Sequence, residues 1–177
     1  MKEHRLGTWA GLQWTMTRSA IIGAIGLWLI VAAVLVAFNV PIGSALLGGA
    51  IVVLLHELSE IVHQLGHAWA ARRTGYPMSG VRFGVLGIFA ASVYPPAEPA
   101  LPAKIHIRRA MGGPIFSAWL SSLAFMLILM TIRTAVPVWE FVLWFFFLDN
   151  LFVMTLQAFI PLGFNDGATI WHWVRQR

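Results

Sequence analysis

Four long apolar runs fill most of this 177-residue chain, and they decide the solvent in which it must fold. A run of about 20 apolar residues crosses a bilayer core as a helix, because lipid offers the backbone N–H and C=O groups no partners but each other. The runs cover residues 19–38, 42–71, 111–132 and 138–160. The turn Asn39-Val40-Pro41 separates the first two, and Pro161 breaks the fourth. A short amphipathic helix over residues 168–174 follows. Hydrophobic residues make up 59% of the chain and charged residues 11%, a balance that belongs to membrane proteins rather than soluble domains. Residues 1–18 read as a basic leader to an uncleaved anchor span, since no small-residue cleavage site stands out.

Residues 75–107 differ in kind. The string VRFGVLGIFAASVY is rich in β-branched and aromatic residues and is punctuated by Gly80, Gly84 and Gly87. It predicts one or two short strands, closed by the proline-rich turn PPAEPALP. The expected fold is therefore an all-α membrane protein of about four transmembrane helices, with a small β-element between the second and third spans. We read it as a single multi-pass domain over residues 1–177, divided into an anchor span at 19–38 and a core at 42–177.

The net charge of +5 is too small and too scattered for a nucleic-acid partner. It fits span flanks instead. Lys2, Arg5 and Arg18 precede the first run, and Arg72, Arg73, Arg82, Lys104, Arg108 and Arg109 lie between the second and third. Arg175 and Arg177 end the chain, while the opposite side keeps Arg133, balanced by Glu140. The positive-inside rule places both termini and the segment from Arg72 to Arg109 in the cytoplasm. Arg72, Arg73, Arg108 and Arg109 then mark the interface, and Trp9, Trp14, Trp139, Trp171 and Trp173 fit aromatic belts. His106 and His172 read as ordinary interface residues. Gly48-Gly49 is most simply a small-residue turn of helix.

Against this apolar background the second run carries His56, Glu60, His63 and His67. At about 100° per residue they fall within roughly 60° of arc, a polar stripe on one helix face. Ionisable groups at membrane depth are costly and mark functional sites. His63 and His67, at i and i+4 in HQLGH, suit one metal ion. Zinc sites that do chemistry use three protein ligands, and cysteine is absent from the chain. Asp166, before Gly167 and after the break at Pro161, is the candidate third ligand. The same residue opens the last helix, where an N-cap role is an equal reading of the local sequence. His56, with Glu57, Asp149 and Asn150, is expected to form a structural hydrogen-bond network between helices.

HQLGHAWAARRTGYP, followed downstream by PLGFNDG, resembles the site-2 protease family of intramembrane zinc metalloproteases. The resemblance runs from about Leu54 to Ile170. It implies zinc held by His63, His67 and Asp166, a strand-bearing segment after the histidine span, and a Gly113-Pro114 element that opens span three and packs near the site. Three positions depart from the family pattern. Gln64 stands where the catalytic Glu belongs. Ala158 occupies the place of an Asn before the proline, and Ser117 that of an Asn after Gly-Pro, both tied to substrate positioning.

An amide is not a useful base, so Gln64 cannot take a proton from an attacking water. Glu60, one turn earlier, leans toward the helix N-terminus and away from His67, which makes it a partner of the ligands rather than the base. The expected function is an intramembrane zinc metalloprotease of the site-2 type, weakened or inactive at position 64. It would act on a transmembrane protein or peptide in contact with membrane lipid. The alternative is a non-catalytic binding protein on the same scaffold. A third reading, an ion or proton path through His56, Glu57, Glu60 and Asp149, has less behind it.

Overall fold

The computed structural model describes residues 3–131 and 137–176; Lys2, Arg133 and Arg177 of the charge pattern lie outside them. The chain runs β1 (Glu3–Trp9), β2 (Leu12–Thr17), α1 (Arg18–Ala37), α2 (Ile42–Arg73), β3 (Gly80–Val85), β4 (Phe89–Val93), α3 (Ala103–Thr131) and α4 (Pro137–Leu148). The helix after α4 continues as a π-helical segment, Asp149–Thr155, and a 3-10 turn, Leu156–Phe159, before α5 (Asp166–Val174). Among the described residues, four helical stretches are long and apolar enough to cross a membrane, the fourth being Pro137–Phe159. Ile22, Ile30, Trp119, Met126 and Met130 point outward from α1 and α3, as lipid-facing side chains do.

The β-element is larger than its sequence signal. It is a four-stranded sheet in the order β1-β2-β3-β4. Half of it comes from residues 3–17, which the sequence shows only as a basic leader to the first span. β2 pairs with β3 in parallel, with Trp14 opposite Val81, and the outer pairs are antiparallel. A parallel pair needs a long crossover, and here α1 and α2 supply it. The start of α1 is tied to β3 by side chains: Thr17 Oγ1 donates to the Phe83 carbonyl at 3.1 Å and Ser19 Oγ to that of Gly84 at 2.8 Å. Gly84 sits at φ +98° in the β3 bulge, where an added Cβ would meet Thr17 Oγ1 at 2.0 Å, so this position needs glycine.

Two apolar cores flank α2. Leu12, Trp14, Met78 and Val81 of the sheet side pack on Ala68 and Ala71. Val31 and Leu35 of α1 pack on Ala45 and Val52 and on Val142 of α4. Trp14 is thus a core residue, 1% exposed and stacked on Trp9 at 4.0 Å, and not part of an interfacial belt. Its flat ring covers the α2 alanines, and its Nε1 donates to the Trp9 carbonyl. Gly48 and Gly49 are contact points after all. A Cβ on Gly49 would lie 2.9 Å from the Trp28 carbonyl of α1, and one on Gly48 would lie 2.7 Å from Val138 of α4.

The crossing of α2 and α3 is tighter still. A Cβ on Gly66 would sit 2.4 Å from the Gly112 carbonyl, and one on Gly112 the same distance from that of Gly66. Backbone therefore touches backbone, which small residues alone permit between membrane helices. Gly66→Ala should lower stability by about 1–3 kcal/mol, the usual size of overpacking that no side-chain movement relieves. Gly26, with open space around it, is the control: Gly26→Ala should be neutral or stabilising by up to about 1 kcal/mol of helix propensity. Thermal unfolding in detergent measures both, and equal melting temperatures would contradict the packing.

Candidate metal centre

The polar stripe of α2 faces inward along its whole length. His56, Ser59, Glu60, His63, Gln64 and His67 are each 5% exposed or less. Spacings of three, four and seven residues keep one helix face, so a single packed surface receives all of them.

His63 and His67 project their Nε2 atoms to within 3.0 Å of each other. Asp166, at the first turn of α5, closes the triangle: Oδ2 lies 3.1 Å from His63 Nε2 and Oδ1 3.3 Å from His67 Nε2. The three side chains form a group able to hold a metal ion. Zinc at roughly 2.0–2.1 Å from each of two tetrahedral ligands needs their donor atoms about 3.4 Å apart, close to these separations. The ring tautomers also fit. His67 Nδ1 lies 2.8 Å from the Arg109 carbonyl, which only accepts, so Nδ1 carries the hydrogen and Nε2 presents its lone pair. His63 Nδ1 meets Ser117 Oγ at 2.9 Å, and donation to that hydroxyl leaves its Nε2 free in the same way.

Asp166 is not the N-cap of its helix. Asn165 is: its Oδ1 accepts from the Ala168 N–H at 3.0 Å and from the Leu162 N–H at 3.1 Å. Its Nδ2 donates to the carbonyls of Gln157 and Ile160. Capping by the neighbour releases Asp166 to face the histidines. Gly167 is required behind it, since a Cβ there would lie 2.3 Å from the Ile160 carbonyl. Gln157 Nε2 donates to Asp166 Oδ2 at 2.8 Å. Burial by itself pushes the Asp166 carboxyl up. When the two rings carry protons on Nε2 in place of a metal ion, their charge and hydrogen bonds outweigh that and hold it well below the usual carboxylate range.

Gly113 and Pro114 lie well inside α3, not at its opening. A Cβ on Gly113 would be 2.3 Å from His67 Nε2 and 2.4 Å from His63 Nε2, so the bare α3 backbone presses on the imidazole pair. Pro114 contributes its carbonyl, which accepts from Thr155 Oγ1 at 3.4 Å. Ser117, read from sequence as a substrate-positioning place, instead touches His63. Ala158 is buried, and its neighbour Gln157 makes the contact to Asp166.

Gln64 and Glu60 turn toward β4 rather than toward His63, His67 and Asp166. Gln64 Nε2 donates to the Ala90 carbonyl at 3.0 Å, and its Oε1 accepts from the Ser92 hydroxyl at 2.8 Å. Glu60 Oε2 accepts from the Ala90 N–H at 3.0 Å. Deeper along α2, His56 Nδ1 lies 3.1 Å from Asp149 Oδ2 and its Nε2 3.0 Å from the Ile88 carbonyl, while Asn150 Nδ2 donates to Ser59 Oγ. These bonds contain His56, Asp149 and Asn150 of the expected network and add Ser59, while Glu57 is half-buried and takes no part in them.

A cavity of about 570 Å³ opens over these groups, between the α2 stripe, β4 and the turn into α5. Its far wall holds Tyr94 and Glu98, which the sequence did not single out, and Arg109 and His106, which it placed at the interface. Arg109 is 3% exposed, not an interface marker. Its guanidinium bonds to Glu98 at 2.9 Å and to the Tyr76 carbonyl, and lies 4.2 Å from the Tyr94 ring centre. That direct bond holds the Glu98 carboxyl below its ordinary value. Burial pushes the Tyr94 phenol up to about 12, so it lines the cavity as a neutral O–H. The proline-rich segment is thereby latched to the residue whose carbonyl orients His67. His106 also lines the cavity and stacks on Trp173 of α5 at 4.1 Å.

Partners that orient metal ligands typically contribute 10- to 100-fold in affinity. Ser117→Ala and Asn165→Ala should each weaken zinc binding by about that factor, read by chelator competition. Asn165→Ala should also cost about 0.5–2 kcal/mol as a lost N-cap, and Ser117→Ala about 1–3 kcal/mol, because the buried His63 Nδ1–H loses its acceptor. Unaltered zinc affinity in both variants would contradict the positioning roles.

No family model and no curated protein matches the chain. Its fold is similar to that of the Site-2 Protease from Methanocaldococcus jannaschii, with a TM-score of 0.63 at 16% sequence identity, over 99% of this chain and 72% of that chain.

Proposed function

We propose that this chain is an intramembrane metallopeptidase scaffold of the site-2 type, with zinc held by His63, His67 and Asp166 and with hydrolysis suppressed at Gln64. The observation that carries the reading is the closure of those three side chains to mutual separations of 3.0–3.3 Å at the cavity between α2, β4 and the turn into α5. The fold shared with a site-2 protease supports it. Zinc bound there supplies Lewis acidity that polarises a peptide carbonyl and acidifies water.

The chain's own residues do the rest. Arg109 and Ser117 fix the two rings, and Asn165 and Gln157 fix the carboxylate. β4, at the sheet edge, offers an extended substrate segment a strand to pair with. The occupant is a transmembrane protein or peptide that unwinds locally, reached through the lipid. We place both termini and the segment from Arg72 to Arg109 on the cytoplasmic side, from the distribution of basic residues.

A second reading, a binding protein that captures such a segment without cutting it, is favoured by one observation. The Gln64 carboxamide is bonded at both its nitrogen and its oxygen by β4. A general base typically contributes about 10²–10⁴-fold, so Gln64→Glu should raise cleavage of a model transmembrane substrate by that factor. Adding His63→Ala should remove the gain. Equal rates for the unaltered chain and Gln64→Glu would assign the base elsewhere. Zinc binding without cleavage in Gln64→Glu would favour the binding protein.

A further inference from the structure

Ala90 sits on a sheet edge, and its edge is already occupied. Both of its backbone groups turn from β3 toward α2, where Glu60 accepts from the N–H and Gln64 donates to the C=O, each at 3.0 Å. Gln64 is bonded at its other end as well, accepting from the Ser92 hydroxyl two residues along the strand. An added strand offers an edge residue the same two things, one C=O and one N–H. A carboxamide is also the side chain chemically closest to a peptide group, with one acceptor oxygen and N–H donors. Glu60 and Gln64 are 2% and 3% exposed, so they are packed against the strand.

We propose that Gln64 and Glu60 act as a built-in substitute for an added strand, capping β4 at Ala90, and that an extended peptide pairing at this edge must displace the Gln64 carboxamide. The inference rests on the peptide-binding part of the proposed function and is independent of hydrolysis. Its physical logic follows from burial. An open edge packed beside α2 would leave a backbone N–H and C=O without partners inside the fold, so the resting chain covers them from within.

The cap also gives position 64 a second consequence. A carboxylate has no hydrogen to give the Ala90 carbonyl. Glutamine closes this edge, and glutamate would leave half of it open. Gln64 therefore governs access to the strand as well as the supply of a base.

Disulfide trapping reads edge occupancy directly, because the chain has no cysteine of its own. Ala91→Cys places a thiol on β4 beside the cavity. The probe is a synthetic Val/Ala/Leu peptide with one central cysteine, mixed with the protein in lipid nanodiscs. Gln64→Met removes the carboxamide while keeping length. It should lower the half-saturating peptide concentration about tenfold, the size of one net hydrogen bond. Ser92→Ala loosens the other end of Gln64 without touching α2, and should lower it by about two- to threefold. This second variant keeps the test intact if Gln64→Met does not fold. An unchanged or raised half-saturation in both variants would make Gln64 a fixed strut and overturn the proposal. So would the absence of trapping in every variant. Enhanced trapping with Gln64→Met, alongside a Gln64→Glu protein that never cleaves, would uphold the cap and sink the peptidase reading.

Discussion

A polar helix face at membrane depth must find every partner inside the protein, since lipid supplies none. The rest of the structure follows from meeting that demand along α2. His56 is matched by Asp149 and by a carbonyl of the β3–β4 turn, and Ser59 by Asn150. Glu60 and Gln64 are matched by β4. His63 and His67 are matched by α3 through Ser117 and Arg109, and by Asp166 of α5. Each layer of the stripe recruits a different element, and together these contacts set the sheet, the π-helical segment and the last helix around α2.

The same contacts give the site its rigidity. The rings of His63 and His67 are pinned at Nδ1, pressed by the bare backbone of Gly113 and faced by a carboxylate whose own loop is knotted by Asn165. Arg109 links two regions. Its side chain latches the proline-rich segment through Glu98, and its carbonyl orients His67. The position of that segment is thereby tied to the geometry of one proposed ligand.

What the sequence revealed was local and periodic. The four apolar runs, the i, i+4 histidine pair and the β-branched string after α2 each carry their signal within one element, and the structure contains the corresponding elements. Asp166 was visible through its Asp-Gly context, but only the structure separates it from the capping role, which Asn165 takes. The N-terminal hairpin stayed hidden because β1 is exposed throughout and shows no alternation, and because β2 finds its parallel partner 67 residues downstream, Trp14 opposite Val81. Arg109 looked like an interface charge because its partner Glu98 lies in a proline-rich segment whose path no periodicity predicts. The role of its carbonyl leaves no trace in a side-chain pattern. Gln64 stood out as a missing base. Its engagement with β4 depends on a strand that the spacing of the histidine motif does not encode.

The central claim is that His63, His67 and Asp166 share one metal ion. X-ray absorption at the zinc edge, on zinc-loaded protein, tests it most directly. The account predicts a shell of nitrogen and oxygen donors with two imidazoles at about 2.0–2.1 Å, reduced to one imidazole in His67→Ala. A shell without imidazole, or a spectrum unchanged in His67→Ala and Asp166→Ala, would contradict it.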